Sequence, residues 1–343
     1  MKIAIYGAGA IGGHLGVQLA LGGQDVTLIA RGAHLAAMKE NGLKLLIEGE
    51  ERVATNCFCT DDPAEAGPQD YVIVALKAHQ AYEATERFKP LLGPDTAVVT
   101  AMNGVPWWYF HKLEGPFENH RLESVDPGGW QWSIIGPERA IGCVVYPAAE
   151  IAEPGVIKHT YGNKFTLGEP DGSMSERCQL LSDAMEASDL KAPVRDNIRD
   201  DIWIKLWGNL CFNPISALTG ATLDVVATET PTRILARSMM LEAQEIGEKL
   251  GVNFRVDIHR RINGAADVGA HRTSMLQDLE NGRAMEVDAL VTSVQEMGRL
   301  VNVQTPYIDA VLGLIQQRGR ALGLYPTFPD DLPTDDEPRD VLD

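Results

Sequence analysis

Cysteine is scarce in this 343-residue chain: Cys57, Cys59, Cys143, Cys178 and Cys211 are odd in number and scattered. That excludes a disulfide framework, and Cys57 and Cys59 are too closely spaced for the usual zinc knuckle. No two of the eight histidines stand at metalloprotease spacing, so no metal site is expected. No apolar run approaches the ~20 residues needed to cross a bilayer. The opening Met1–Tyr6 reads straight into a strand, without the regions of a signal peptide. A cytoplasmic, reduced protein is the expectation. Positive charge is also short, with 30 Lys and Arg against 48 Asp and Glu and a net charge of -18. Nucleic acid and anionic membranes are therefore excluded as partners, because binding phosphate needs a basic face. An anionic ligand would have to be met by positive groups placed locally.

What is present is ordinary for a folded protein: 45% hydrophobic and 23% charged residues. The length suits two domains. Residues 327–343 form an acidic, proline-containing tail, expected to be disordered and solvated. The first half alternates strand and helix: Ile3–Tyr6, a helix at Ile11–Leu21, Val26–Ala30, Tyr71–Leu76, a helix around Tyr82–Leu92, and Thr96–Ala101. This predicts a doubly wound, Rossmann-type α/β domain over residues 1–195. Strands at Ile141–Tyr146, Val156–Tyr161 and Lys164–Leu167 suggest an antiparallel extension. From about Asn197 only helical periodicity remains, at Arg199–Asn213, Thr232–Leu250, Val256–Ala266, Arg283–Val301 and Tyr307–Leu322. Residues 196–326 thus read as an all-helical second domain, with the active site in the cleft between the two.

Gly7-Ala8-Gly9-Ala10-Ile11-Gly12 matches G-x-G-x-x-G between a strand and a helix. Gly7 permits the tight turn, Gly9 the approach of a pyrophosphate, and Gly12 close packing of helix on strand. Where an NAD site would carry an acidic residue on the second strand, this chain has Ala30-Arg31. Arg31 can clamp a 2′-phosphate, which predicts NADP(H). Lys205, Asn209 and Asn213 share one face of a helix that is otherwise apolar and carries two tryptophans. A lysine on such a helix needs a partner, and its pKa can fall toward the working pH. That pattern marks a catalytic acid or base.

These segments, with Leu76-Lys77-Ala78, Asn103-Gly104, Ser274-Met275-Leu276-Gln277-Asp278 and Glu286-Val287-Asp288, occur in an order that resembles the ketopantoate reductase (2-dehydropantoate 2-reductase) family. The resemblance covers roughly residues 1–325. It implies a helical domain like the C-terminal domain of 6-phosphogluconate dehydrogenase, and NADPH-dependent reduction of a branched 2-oxo acid in pantothenate synthesis. Lys205 would be the general acid, and Glu286 would lie near it and the cofactor, keeping the ammonium charged and placed. Asn103 would bridge cofactor and substrate, while Lys77 and Arg31 would face the cofactor. Asn209, Asn213 and Ser274 would bind substrate oxygens. The expected partner is a small anionic 2-oxo acid, with a homodimer considered as the assembly.

Four departures bear on the substrate, one being that no Asn appears in Ile215–Thr222, where some members of the family place one. His271 stands where the family often has Asn, and Val291-Thr292 where it commonly has Asn-Gly. An apparent insertion at about 107–135 carries Trp107-Trp108-Tyr109-Phe110 and Trp130-Gln131-Trp132, suited either to a lid or to packing a helix and hairpin. Alternatives are the same chemistry on another 2-oxo acid or an imine, and a non-catalytic NADP(H) sensor.

Overall fold

The computed structural model describes residues 1–326; the acidic tail lies outside the described residues. The N-terminal part opens with β1 (Lys2–Tyr6), α1 (Ala10–Leu21), β2 (Asp25–Ile29) and α2 (Gly32–Asn41). A hairpin of β3 (Leu43–Ile47) and β4 (Glu50–Ala54) precedes β5 (Phe58–Thr60), α3 (Pro63–Ala66), β6 (Gln69–Val74) and α4 (Ala78–Glu83). Then come β7 (Leu92–Thr100), α5 (Trp130–Ile135), β8 (Ala140–Val145), β9 (Ala148–Glu153), β10 (Val156–Tyr161), β11 (Phe165–Gly168) and α6 (Glu176–Glu186). The seven-stranded sheet has the order β11-β8-β7-β6-β1-β2-β5, parallel except for β11. Its strand order reverses between β1 and β6, the position at which doubly wound sheets bind ligands.

The expected antiparallel extension forms only in part. β8 joins the sheet parallel to β7, with Val99 opposite Ile141, and only β11 runs antiparallel. The 39-residue connection from Ala101 to Arg139 supplies the crossover that parallel pairing requires. What looked like an insertion is the element that makes β8 parallel. β10 leaves this sheet altogether and pairs with β3 in a second sheet of order β4-β3-β10-β9. That sheet covers α1: Ile157 lies where a Cβ on Gly13 would be, 2.6 Å away. Helix α1 is consequently buried on nearly every side, which suits its mostly apolar sequence. His14 shares this burial, 5.0 Å from the His159 ring and 6.0 Å from Phe165, with neither ring nitrogen hydrogen-bonded. Burial pulls its pKa down to about 4.

The helical part comprises α7 (Ile198–Thr219), α8 (Leu223–Thr228), α9 (Thr230–Lys249), α10 (Ile258–Ala266), α11 (Ser274–Glu280), α12 (Ser293–Leu300) and α13 (Pro306–Ala321). Helix α7 passes through Pro214 and ends on left-handed Gly220, beyond the expected stop at Asn213. Burial of Phe212, Ile215 and Ala217 in the helical core offsets the hydrogen bond that Pro214 cannot make. The helix expected over Arg283–Val301 begins only at Val287 and opens with a π-turn at Asp288–Thr292. Residues 283–286 are non-helical because they span back to the sheet domain, and Glu286 is thereby freed to face it.

The aromatic segment forms turns and the short α5, and no hairpin. Trp107 and Trp108 pack under the sheet with Ile198 and Ile202, whereas Tyr109 and Phe110 belong to the helical core. The Trp108 indole donates to Thr100 Oγ1 at 3.0 Å and that of Trp203 to the Tyr109 hydroxyl at 2.6 Å. Arg199 donates to the carbonyls of Tyr109 and His111. The segment therefore stitches the two parts together.

Candidate active site

The glycine turn is built by close approach. Gly7 takes a left-handed φ of 97°, and a Cβ on Gly12 would stand 2.1 Å from the Gly7 carbonyl. By contrast, a Cβ on Gly9 would meet nothing within 4 Å, so this side of the turn is open. The amides of Gly7 and Ala8 are held by the Ile29 carbonyl at 3.1 and 3.0 Å. No side chain caps α1, which leaves its first amides, with the positive end of the helix dipole, facing the open side. This concavity fits a dinucleotide pyrophosphate. His34 secures the turn: its Nδ1 accepts from the Gly155 amide at 3.0 Å, so Nε2 carries the proton donated to the Ala8 carbonyl at 2.8 Å. Sequence reasoning missed His34, whose partners come from distant segments. Arg31 stands exposed at the start of α2, its guanidinium without a hydrogen bond or ion pair among the described residues.

Lys77 reaches across the cleft, with Nζ 2.6 Å from Asp278 Oδ2 and 2.8 Å from the Ala284 carbonyl. Asp278, unforeseen as its partner, also receives Arg283 Nε at 3.1 Å. Lys77 thus ties the two parts of the chain together.

Asn103 links the two charged groups. Its Oδ1 accepts from Lys205 Nζ at 2.7 Å, and its Nδ2 faces Glu286 Oε2 at 3.4 Å. Ammonium can only donate and carboxylate accepts, so this network fixes the amide's orientation. The loop is held by Gly104, at φ 86°, where a Cβ would lie 2.3 Å from the Ala289 carbonyl in the π-turn. Glu286 Oε1 accepts from the Ala78 amide at 3.4 Å. Burial raises the Glu286 pKa, opposed by Lys77, Asn103 and the Ala78 amide. Lys205 has a second acceptor, the Val145 carbonyl at the end of β8. Burial lowers its pKa to about 8, with Glu286 and then Cys143 acting in the opposite direction.

The rest of the stripe follows. Asn209 is partly exposed with its amide unpaired among the described residues, and Asn213 Nδ2 lies 3.4 Å from Ser274 Oγ. Thr273, rather than Ser274, caps α11, accepting from the Leu276 amide at 3.3 Å. Ser274 is therefore the first helical residue and its hydroxyl faces the stripe. His271 is exposed and contributes its carbonyl to the Leu223 amide. A cavity beside Lys205 and Asn209 is lined by Thr100, Met102, Trp107, Trp108 and Gln131, so the aromatic segment both packs the core and shapes the site. Among the described residues no helix is long and apolar enough to cross a membrane, and no cluster suits a metal ion.

Profiles of the family "Ketopantoate reductase PanE/ApbA" match residues 3–172, and of its C-terminal part residues 197–319. A 2-dehydropantoate 2-reductase from Mesorhizobium japonicum is 57% identical over 326 residues, 95% of this chain and 100% of that protein. The chain belongs to the ketopantoate reductase family. It is an oxidoreductase acting on CH–OH groups, of a family that uses a nicotinamide cofactor. A Ralstonia solanacearum protein crystallised under the provisional name of ketopantoate reductase superposes with a TM-score of 0.90. It is 41% identical, covering 94% of this chain and 99% of that one. The fold is also that of D-mandelate dehydrogenase in complex with NADH and anilino(oxo)acetate, with a TM-score of 0.79, 23% identity, and coverage of 94% and 100%.

Proposed function

We propose that this ketopantoate reductase family member reduces 2-dehydropantoate to pantoate with NADPH, as a step of pantothenate biosynthesis, with Lys205 as general acid. The observation that carries this reading is the Lys205 ammonium, desolvated and, among the described residues, hydrogen-bonded only to the neutral acceptors Asn103 Oδ1 and the Val145 carbonyl. Neither acceptor competes for its proton as a carboxylate in direct contact would. With a pKa lowered to about 8, the group is charged at neutral pH and gives up its proton more readily than an exposed lysine.

The amides of the turn after β1, with Arg31, would hold the dinucleotide, which when bound would supply a hydride for C2 of the oxo acid. Lys205 delivers the matching proton to the carbonyl oxygen, so that C=O becomes CH–OH and the lysine is left neutral. Glu286 acts through Asn103, favouring the charged lysine and orienting the amide. Asn209, Asn213 and Ser274 present donors and acceptors for the substrate's hydroxyl and carboxylate oxygens. Arg31, unpaired at the end of β2 where no acid stands, supports the choice of NADPH over NADH.

Another oxo acid is favoured by His271 and by the tryptophan-lined cavity beside Lys205. Steady-state kinetics with a panel of 2-oxo acids and imines, against NADPH and NADH, tests both readings. The highest kcat/KM is expected for 2-dehydropantoate with NADPH, and a higher value for another compound overturns the substrate assignment.

A further inference from the structure

We propose that Gln131 sets the substrate specificity of the site at Lys205: its side-chain carbonyl accepts the hydroxyl proton of a 2-oxo acid branched at C3 and hydroxylated at C4. This rests on the reading that the substrate is a 2-oxo acid protonated by Lys205.

The cavity beside Lys205 has a mixed wall. Lys205 and Asn209 share it with Trp107, Trp108 and Leu206, and with Gln131. Tryptophan and leucine alone would suit a branched or aryl group and offer nothing to a hydroxyl. Gln131 puts an acceptor among them, although it is only 3% exposed.

The side chain arrives on a fixed support. Gln131 is the second residue of α5, and the fully buried Asp126 holds the start of that helix. Asp126 Oδ1 accepts from the Gln131 amide at 2.7 Å and Oδ2 from the Trp132 amide at 3.0 Å. Gln131 Nε2 donates to the Val125 carbonyl at 3.1 Å. A carbonyl can only accept, so the nitrogen is assigned to that end of the carboxamide and Oε1 to the other. Oε1 receives no hydrogen bond among the described residues. Unlike the His14 ring nitrogens it is not sealed in by protein, and the space that Gln131 borders is the cavity. Lys205 and Thr100, in the same wall, have partners: Lys205 donates to Asn103 and the Val145 carbonyl, and Thr100 Oγ1 accepts from Trp108 at 3.0 Å.

A desolvated acceptor without a donor is costly, and a ligand hydroxyl removes that cost. 2-Dehydropantoate carries two methyl groups on C3, suited to the apolar wall, and a hydroxyl on C4, two carbons from the carbonyl that Lys205 protonates. The hydroxyl oxygen can accept from Asn209 while its proton goes to Gln131. An analogue with a methyl group in place of the hydroxymethyl leaves Oε1 bare, and a site built to bind a hydroxyl rejects such an analogue more strongly than an apolar pocket does.

The test compares 2-dehydropantoate with that analogue, 3,3-dimethyl-2-oxobutanoate, in the full-length enzyme with NADPH. Wild type is expected to favour 2-dehydropantoate by about tenfold or more in kcat/KM. Gln131→Met keeps the length of the side chain and removes the acceptor. It should lower kcat/KM for 2-dehydropantoate by about 5- to 150-fold and leave the analogue unchanged or faster, so that the preference collapses. Gln131→Asn withdraws the carboxamide by one methylene and should give a smaller loss in the same direction. Reading the ratio of the two substrates within one variant separates this role from a structural one, which would slow both alike. Equal losses on both substrates, an unchanged preference in the variants, or a wild type that treats the two alike overturns the assignment. A wild-type enzyme inert toward every 2-oxo acid would instead overturn the functional reading beneath it.

Discussion

The two walls of the cleft are built from different materials. On the sheet side, the turn after β1 presents backbone amides, held by the Ile29 carbonyl, by His34 and by close contacts at Gly7 and Gly12. On the helical side, Lys205, Asn209, Asn213, Ser274 and Glu286 present side chains. A backbone site is sensitive to any added atom and indifferent to most side-chain chemistry. A side-chain site has the opposite sensitivity. The same size of substitution should therefore damage binding on one wall and turnover on the other.

The largest effect expected from this contrast is at Lys205. Lys205→Ala should lower kcat by about 10²- to 10⁴-fold, the usual scale for loss of a general acid, with the NADPH Kd unchanged by fluorescence titration. A matching loss of NADPH affinity would erase the division. Next come the glycines. Gly12→Ala forces a methyl against backbone and should cost roughly 1–3 kcal/mol, read as a fall in Tm together with weaker NADPH binding. Gly9→Ala meets open space, so Tm should hold while NADPH binding alone suffers. Arg31→Ala, the side-chain exception on the sheet wall, should weaken NADPH by about tenfold or more and leave NADH nearly unaffected.

Acid and alkali separate the walls more gently. A general acid at Lys205, as proposed, requires the protonated lysine, so kcat/KM should decline as pH rises through about 8. Because its pKa is depressed on folding, the unfolded chain binds the extra proton between about pH 8 and the ordinary lysine value. Its contribution to stability therefore rises across that window, and activity should be lost without unfolding. Behind the sheet wall, buried under the second sheet, His14 has a folded pKa of about 4 against an ordinary 6.5. Its contribution is complete above 6.5 and lost as pH falls toward 4. His14→Phe should flatten the decline in Tm over that range, the smallest of these effects.

Local patterns made much of this molecule legible before its structure. The glycine turn lies within six consecutive residues, and the stripe of Lys205, Asn209 and Asn213 follows from helical spacing alone. The two-part architecture was visible in the change from alternating strands and helices to helical periodicity. Less visible were features that depend on pairing over distance. The sequences of β9 and β10 gave no sign that a strand would leave the main sheet to pair with β3. Nor could periodicity show that residues 283–286 span to the sheet domain and place Glu286 opposite Asn103. Asp278 as the partner of Lys77 is a contact across 201 residues of sequence and has no local signature.

The route of the chain between β7 and β8 also bears on how the molecule is assembled. Before β8 can add to the sheet, the 101–139 crossover must be in place, and its Tyr109 and Phe110 find their burial only in the core of the helical half. The last parallel strand thus depends on residues synthesised after it, including Arg199 and Trp203. Folding of the sheet-containing half cannot finish as an independent event during synthesis, and the two halves should melt in a single transition.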